Sequence, residues 1–201
     1  MNRTLAITLG VIGGILLIVI LAVAWGISTY NRIVSAEEGV KSAWGQVENQ
    51  YQRRYDLIPN LVETVKGFTK QEREVLENVT NARASVGQLK VTPEILNDPE
   101  AFAKFQQAQD GLSSALSRLL VVTENYPTLR SNENFLTLQA QLEGTENRIS
   151  VERRRFNEAV QSYNTMIRRF PASSIASMSG FREKPYFAAA AGAEQAPQVK
   201  F

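Results

Sequence analysis

The chain has 201 residues, of which 44% are hydrophobic and 21% are charged, and its net charge is +2. This composition is typical of one folded domain with an appendage, and the charge is too small for a dedicated nucleic-acid-binding protein. The sequence contains neither cysteine nor histidine, which excludes Cys/His zinc sites, cysteine nucleophiles and Ser-His-Asp triads. We therefore expect no nucleic-acid partner, no metal and no cofactor.

The first predicted element is a transmembrane helix at residues 5–27, preceded by a short tail at residues 1–4. Leu5 to Ile27 is almost continuously apolar, and a helix of this length spans roughly 35 Å, enough to cross a bilayer core of about 30 Å. A cleaved signal peptide is the alternative, because Ala22-Val23-Ala24 has the form of a cleavage site. The length of the apolar run, with Trp25 and Tyr30 as interfacial anchors, favours an uncleaved single-pass anchor.

Positive charge does not fix the orientation of this anchor. Arg3 and the amino terminus precede the apolar run, and Arg32 and Lys41 follow it, which is close to a tie under the positive-inside rule. We expect localisation in the cell (inner) membrane, with the side of the folded domain left open.

Gly10 and Gly14 lie inside the span at the small-xxx-small spacing. Small residues at this spacing let two membrane helices approach closely, which predicts self-association. The alternative is that glycine is simply frequent in such helices.

Residues 28–170 have helical periodicity and are predicted to form the folded domain. Pro59 interrupts this pattern, and a proline inside a helix costs about 3 kcal/mol. The cost disappears if Asp56 is an N-cap and Pro59 lies in a first turn. We therefore predict a helix corner near Tyr55, capped by Asp56 and Pro59, and a second helix from Asp56 to about Gly87. One kinked helix is the alternative, because the apolar phase continues through the proline.

Two further helices follow. Asp98-Pro99-Glu100 has the form of an N-cap, a proline at the first helical position and an early acidic residue. Asn132, or Ser131, is predicted to cap the last helix, which keeps three-four apolar spacing to Phe170. Four apolar stripes predict an all-α fold, an antiparallel four-helix bundle that buries its stripes together.

Residues 171–201 are predicted to form an extended C-terminal tail, since prolines and small residues replace the helical pattern. Its aromatic residues are expected to dock on the bundle: Phe181, Tyr186, Phe187 and Phe201. Alternatively, the terminal Val199-Lys200-Phe201 has a form that strand-adding peptide-binding domains can capture.

The second half of the last helix is rich in arginine. If the helices alternate in direction, this basic end returns to the membrane and contacts anionic head groups, at about 1 kcal/mol per well-placed side chain. The alternative is a solvated helix face. The candidate residues are Arg148, Arg153, Arg154, Arg155, Arg168 and Arg169.

Glu133, Glu143 and Glu146 are candidates for acid/base chemistry, because paired carboxylates can hydrolyse glycosides. Ordinary helices carry this many acids on solvated faces, so no catalytic residue and no small-molecule substrate is assigned.

Three segments carry a family resemblance: "YNRIVSAEEGVKSAWGQVENQYQRRYDLIPNLVETVKGF", "NYPTLRSNENFLTLQAQLEGTENRISVERRRFNEAVQSYN" and "FPASSIASMSGFREKPYF". Together they cover well over half of the chain. They resemble segments of the LemA family and occur in the same order along the chain as in that family. The resemblance implies a single-pass membrane protein with a helical-bundle domain and carries over no catalytic residues. Family genes are often associated with those of membrane metallopeptidases, which implies a class of partner.

From the sequence we predict a membrane-anchored, non-enzymatic scaffold or adaptor that self-associates, binds an envelope protein, or does both. A four-helix ligand sensor at the membrane surface is the alternative, and a carboxylate-dependent hydrolase is a distant one.

Overall fold

The computed structural model describes residues 3–68, 72–89 and 92–188, which form six α-helices and no strand. The longest helix, α1, covers Arg3–Phe68. A 3₁₀ helix at Pro93–Asn97 precedes α3. The remaining helices are α2 at Arg73–Gly87, α3 at Pro99–Thr123, α4 at Pro127–Arg130, α5 at Glu133–Arg168 and α6 at Ala172–Met178.

The predicted corner at Asp56 and Pro59 is wrong, because α1 continues through both residues to Phe68. Asp56 is not an N-cap; its carboxylate accepts a hydrogen bond from Gln52 Nε2, one turn earlier, at 2.8 Å. The second helix accordingly begins at Arg73. The continuous apolar phase, which supported the alternative of one helix, was the better guide.

The structure explains how α1 tolerates Pro59. Pro59 lies on the exposed face of the helix, so its ring displaces no core side chain. It lacks the N–H that would bond the Tyr55 carbonyl one turn back. Arg83 on α2 replaces that donor, because its Nε donates to Tyr55 O at 3.3 Å. Its guanidinium also lies 3.8 Å from the centre of the Tyr55 ring.

The bundle is antiparallel, as predicted, and has two apolar cores along its length. The core nearer the apolar end of α1 contains Trp44, packed against Phe102 and Phe156 at ring-centroid distances of 5.8 and 5.7 Å. The far core joins α1, α2, α3 and α5 through residues such as Leu61 and Leu116. Thus α1 and α3 run away from the apolar end, and α2 and α5 run back toward it.

Helix starts follow the predicted capping chemistry. The Asp98 carboxylate accepts hydrogen bonds from the backbone N–H groups of Glu100 and Ala101 at 3.0 Å, which caps α3. The Asn132 side chain accepts from Phe135 N at 3.0 Å and caps α5.

The predicted extended tail begins with a helix. Residues 172–178 form α6, which packs on α1 and α5, so the boundary of the tail at residue 171 was drawn too early. Gly180 then turns the chain with a φ of +77°, and residues 181–188 form neither helix nor strand. Lys184 and Phe187 bond Asn164 and Asn157, which are roughly 10 Å apart along α5, so this part of the chain is extended.

The apolar part of α1 meets the requirements of a membrane span. Its most apolar window has a mean hydropathy of 2.9, and none of that window is buried. Since no described part of the bundle covers these side chains, the segment is a candidate membrane span.

Candidate functional site

The first candidate surface is the membrane end of the bundle, defined by the exit of α1 from the apolar segment, the end of α5 and α6. A groove of about 620 Å³ lies there between α1 and α5. The antiparallel course of the chain produces it, because α5 ends beside the residues where the apolar segment of α1 stops. The groove is lined by Trp25, Thr29, Arg32, Glu158, Gln161, Ser162, Thr165, Met166, Arg169, Phe170, Pro171 and Ala172.

This end combines cationic and apolar side chains. Arg32 and Arg169 are exposed on opposite walls of the groove. Phe170 and Met178 are among the most exposed large apolar residues, at 85% and 89%. A surface with exposed guanidinium groups beside uncovered apolar side chains matches the chemistry of the boundary between lipid head groups and acyl chains.

The other predicted head-group arginines lie far along α5. Arg148 to Arg155 precede Arg169 by 14 to 21 positions, or roughly 20–30 Å of helix. Arg153 is turned inward, with Nη1 donating to Asp110 Oδ1 at 3.3 Å, and Arg155 pairs with Glu152 at 2.7 Å. Arg168 is near the membrane end but pairs with Glu183 at 3.6 Å.

A second feature is a polar layer between the two apolar cores, formed by Arg54, Gln109, Ser113 and Glu146. Only 1% of Arg54 is exposed. Its Nη1 donates to Ser113 Oγ at 2.6 Å and to Glu146 Oε1 at 2.7 Å. Its Nη2 donates to the backbone oxygen of Gln109 at 3.2 Å and to the side-chain oxygen of the same residue.

Sequence reasoning did not predict this layer. Arg54 nevertheless lies on the apolar stripe that continues through Pro59, where it is the polar member. A charge on the buried stripe of a helix is the signal that could have found it, because a buried charge requires a partner on another element.

The layer explains Glu146, one of the three candidate carboxylates. Glu146 neutralises Arg54, and Glu143 accepts a hydrogen bond from Gln139 Nε2 at 2.9 Å. Glu133 lies in the first turn of α5, where a negative charge complements the helix dipole. Among residues 3–68, 72–89 and 92–188, no cluster of three potential metal ligands occurs.

Two buried tyrosines, Tyr51 and Tyr163, belong to the core nearer the apolar end, and the Tyr51 ring also borders Arg54 of the polar layer. Burial raises the pKa of Tyr51 to about 12, and burial, with the negative charge of Glu37, raises the pKa of Tyr163 to about 12. Neither hydroxyl has a hydrogen-bond partner among the described residues. Both groups are therefore neutral at physiological pH and serve packing.

The third feature is a clamp that holds the extended segment 182–188 against α3 and α5. Asn164 donates from Nδ2 to Lys184 O and accepts from Lys184 N, both at 2.9 Å. Asn157 bonds the carbonyl and N–H of Phe187 at 3.0 and 2.9 Å. Gln106 makes the same pair with Ala188 at 3.1 Å.

Two side chains of the segment enter the bundle. The Phe187 ring lies 4.9 Å from the Phe102 ring and 5.4 Å from the Phe156 ring, measured between centroids. Lys184 Nζ pairs with Glu37 at 2.7 Å and donates to Asn97 Oδ1 at 2.6 Å.

The aromatic residues that were predicted to dock the tail on the bundle differ in how deeply they are buried. Phe187 is buried and Tyr186 is 45% exposed, while Phe181 contacts the Tyr30 ring with a centroid distance of 5.7 Å. Phe201 lies outside the described residues, as does the terminal Val199-Lys200-Phe201 motif. Gly10 and Gly14 have nothing within 4 Å of an added Cβ, so that face of the span is open.

The model of the LemA family matches residues 43–201. Magnetosome protein MamQ from Magnetospirillum gryphiswaldense is 28% identical over 174 residues, which are 79% of this chain and 64% of that protein. Magnetosome proteins MamQ 1 and MamQ 2 from Paramagnetospirillum magneticum are each 26% identical over 198 residues, 89% of this chain and 73% of theirs. The chain thus spans about 64% of the length of the first relative.

Proposed function

The chain belongs to the LemA family, and from that premise we propose that it is a membrane-anchored scaffold or adaptor that acts by binding and has no enzymatic activity of its own. The observation that carries this proposal is the continuity of α1. One helix forms both the apolar segment and the longest element of the bundle, so no flexible linker separates the domain from the bilayer. A domain held in this way presents its faces at a fixed height above the membrane.

The membrane end supports close contact with the lipid surface. In this proposal Arg32 and Arg169 bind anionic head groups, while Phe170 and Met178 enter the interface. Arg148 to Arg155 face other parts of the protein or solvent, at a distance along α5 that separates them from the lipid.

Self-association through the span is the second part of the proposal. The Gly10 and Gly14 face is open, and membrane helices pack closely on such faces. Residence in the cell (inner) membrane and binding of an envelope protein, with a membrane metallopeptidase as the suggested class, complete the proposed role. The relatives are named for a structure, the magnetosome, rather than for a reaction, which is compatible with a placement role.

Cross-linking of the full chain in detergent tests self-association. Gly10→Ile with Gly14→Ile should reduce cross-linked oligomers, because bulk on this face prevents close helix approach. Ile12→Phe with Leu16→Phe adds bulk on the opposite face and is the matched control. A monodisperse monomer that copurifies with no envelope protein would overturn the scaffold.

A spin label at residue 178 tests the membrane end. The chain has no cysteine, so Met178→Cys gives one labelling site in vesicles that contain anionic lipid. We expect the relaxation of the label to be dominated by oxygen, as is typical of the membrane interface. The double substitution Arg32→Gln with Arg169→Gln should reduce this oxygen contribution. A label that is fully accessible to aqueous reagents would contradict the proposed contact.

A ligand sensor remains the second candidate because of a cleft of about 330 Å³ between α1, α2 and α3, whose walls include Tyr51, Tyr55 and Gln109. This volume is at the lower end of the range for small-molecule pockets. A thermal-shift screen with the full chain tests it, and Gly87→Phe at the rim of the cleft should abolish a genuine hit.

A further inference from the structure

The segment 182–188 is bound like a peptide ligand. Across the part of the chain that the structure describes, its backbone makes no hydrogen bond to another backbone group. Its polar groups are instead paired by the side-chain amides of Asn157, Asn164 and Gln106. Each amide both donates to a carbonyl and accepts from the N–H of the same residue, which fixes an extended backbone without reading its side chains.

The side chains supply the selectivity. Lys184 and Phe187, three positions apart, are both 5% exposed. Lys184 requires the carboxylate of Glu37, and Phe187 requires an aromatic pocket. The surface of α1, α3 and α5 that holds this segment, called the clamp groove below, is therefore specific for an extended segment with a lysine three residues before a phenylalanine.

None of these contacts depends on the direct link between segment and bundle. Ser179, Gly180 and Phe181 connect α6 to the segment and make none of the clamp contacts; Ser179 and Gly180 are exposed, and Phe181 contacts Tyr30. The positive φ of Gly180 is a conformation that glycine adopts without strain, and glycine populates negative φ values as readily. Within the described part of the chain, a change of course at Gly180 therefore breaks only two backbone hydrogen bonds, from Gly180 N to Ser177 O and from Phe181 N to Ala176 O. The same contacts can therefore form with a segment that comes from another molecule.

We propose that the clamp groove is a peptide-binding site, that residues 182–188 are its intramolecular ligand, and that in the self-associated protein the clamp groove of one copy takes the same segment of a second copy. The fit of this occupant is demonstrated by the intramolecular complex. Copies anchored in one membrane by the rigid α1 also hold their clamp grooves at one height. The inference rests on the proposed self-association and gives it a second, specific contact.

Cysteine pairs on separate copies test the exchange. Arg168 and Glu183 are exposed and adjacent across the edge of the clamp groove, 3.6 Å apart. Two differently tagged full-length copies, one with Arg168→Cys and the other with Glu183→Cys, are coexpressed and treated with a short bismaleimide. We expect a product between the two tags. Arg148→Cys in place of Arg168→Cys, on the same helix about 30 Å away, is the matched control and should give none.

A peptide competition makes the result independent of folding defects. A synthetic peptide with the sequence of residues 181–188, added before the reagent, should reduce the product between copies severalfold. The same peptide with Phe187→Ala should be at least tenfold less effective. Asn157→Ala with Asn164→Ala in both copies should also remove the product while helical circular dichroism is retained.

The outcomes separate this inference from the proposed function. If ordinary cross-linking shows oligomers but the cysteine pair gives a product only when both cysteines are on one chain, exchange is refuted and self-association stands. If the oligomers are absent as well, exchange and self-association both fail, and the scaffold then depends on binding of an envelope protein. A product that is insensitive to the peptide refutes recognition by the clamp groove.

Discussion

Pro59→Ala is the most informative substitution, because it tests how α1 passes through its proline. Proline in a helix interior is about 3 kcal/mol less favourable than alanine. Part of that cost is already offset, since Arg83 Nε donates to the Tyr55 carbonyl at 3.3 Å. Pro59 is exposed, so alanine loses no buried surface. We therefore expect Pro59→Ala to increase the free energy of unfolding by about 1–2 kcal/mol.

A double-mutant cycle identifies the role of Arg83. In the parent, Arg83→Met removes a charged donor from the Tyr55 carbonyl and a cation–π contact, for a cost of about 2 kcal/mol. With Pro59→Ala present, the new N–H of residue 59 bonds that carbonyl, and the cost should fall to about 0.5–1 kcal/mol. The expected coupling between the two positions is therefore about 1–1.5 kcal/mol.

Urea unfolding of the full chain in detergent measures these values. Helical circular dichroism and the fluorescence of Trp44, after Trp25→Phe, report the transition. Arg73→Met is the control, since Arg73 is an exposed arginine on the same helix and should change stability by less than about 0.5 kcal/mol. An Arg83→Met cost that is equal in both backgrounds, or a Pro59→Ala variant less stable than the parent, would refute the reasoning.

Three further predictions use the same urea titration. Glu146→Ala should cost about 1–3 kcal/mol, less than for a fully buried pair, because water reaches its partly exposed site in the polar layer; Glu143→Ala should be within about 0.5 kcal/mol of the parent. An added Cβ at Gly87 would lie 2.8 Å from Tyr55 Oη. The change in the free energy of unfolding caused by Gly87→Ala should therefore be more favourable, by about 1 kcal/mol, in the Tyr55→Phe background, which lacks the hydroxyl, than in the parent. Equal changes in both backgrounds would show that the ring simply moves. Burial raises the pKa of Tyr51 from 10.0 to about 12, so its contribution to stability is complete below pH 10 and lost as the pH rises to 12, because the unfolded chain ionises first. Tyr51→Phe should reduce the loss of stability over that interval.

Local chemistry could be read from the sequence where its partners are local. Asp98 and Asn132 cap helices through groups within three residues, and the three-four spacing of apolar residues identified the buried faces. Pro59 was misjudged because its compensating donor, Arg83, lies on another helix. A rule about one hydrogen bond could not include a side chain that only tertiary packing brings into range.

The clamp was missed for a related reason. Sequence analysis assigned no role to Asn157, Asn164 and Gln106, since their role depends on where the tail passes. One signal was present in the sequence: Asn157 and Asn164 are seven positions apart, which places them two turns apart on one face of a helix. Two aligned amides near a chain segment that lacks secondary structure indicate backbone pairing.

The return of α5 to the membrane end did not depend on the position of the first corner. Its direction follows from the number of reversals, which is three whether the chain turns at Pro59 or after Phe68. The length of α5 could have located the turn. Its 36 residues extend roughly 54 Å and need a partner of similar length, which the stretch 28–55 cannot supply and the stretch 28–68 can. Because α1 continues past Pro59, Arg54 meets Glu146 midway along the bundle. The C-terminal end of α5 reaches the level of Thr29 and Arg32, where Phe181 contacts the Tyr30 ring.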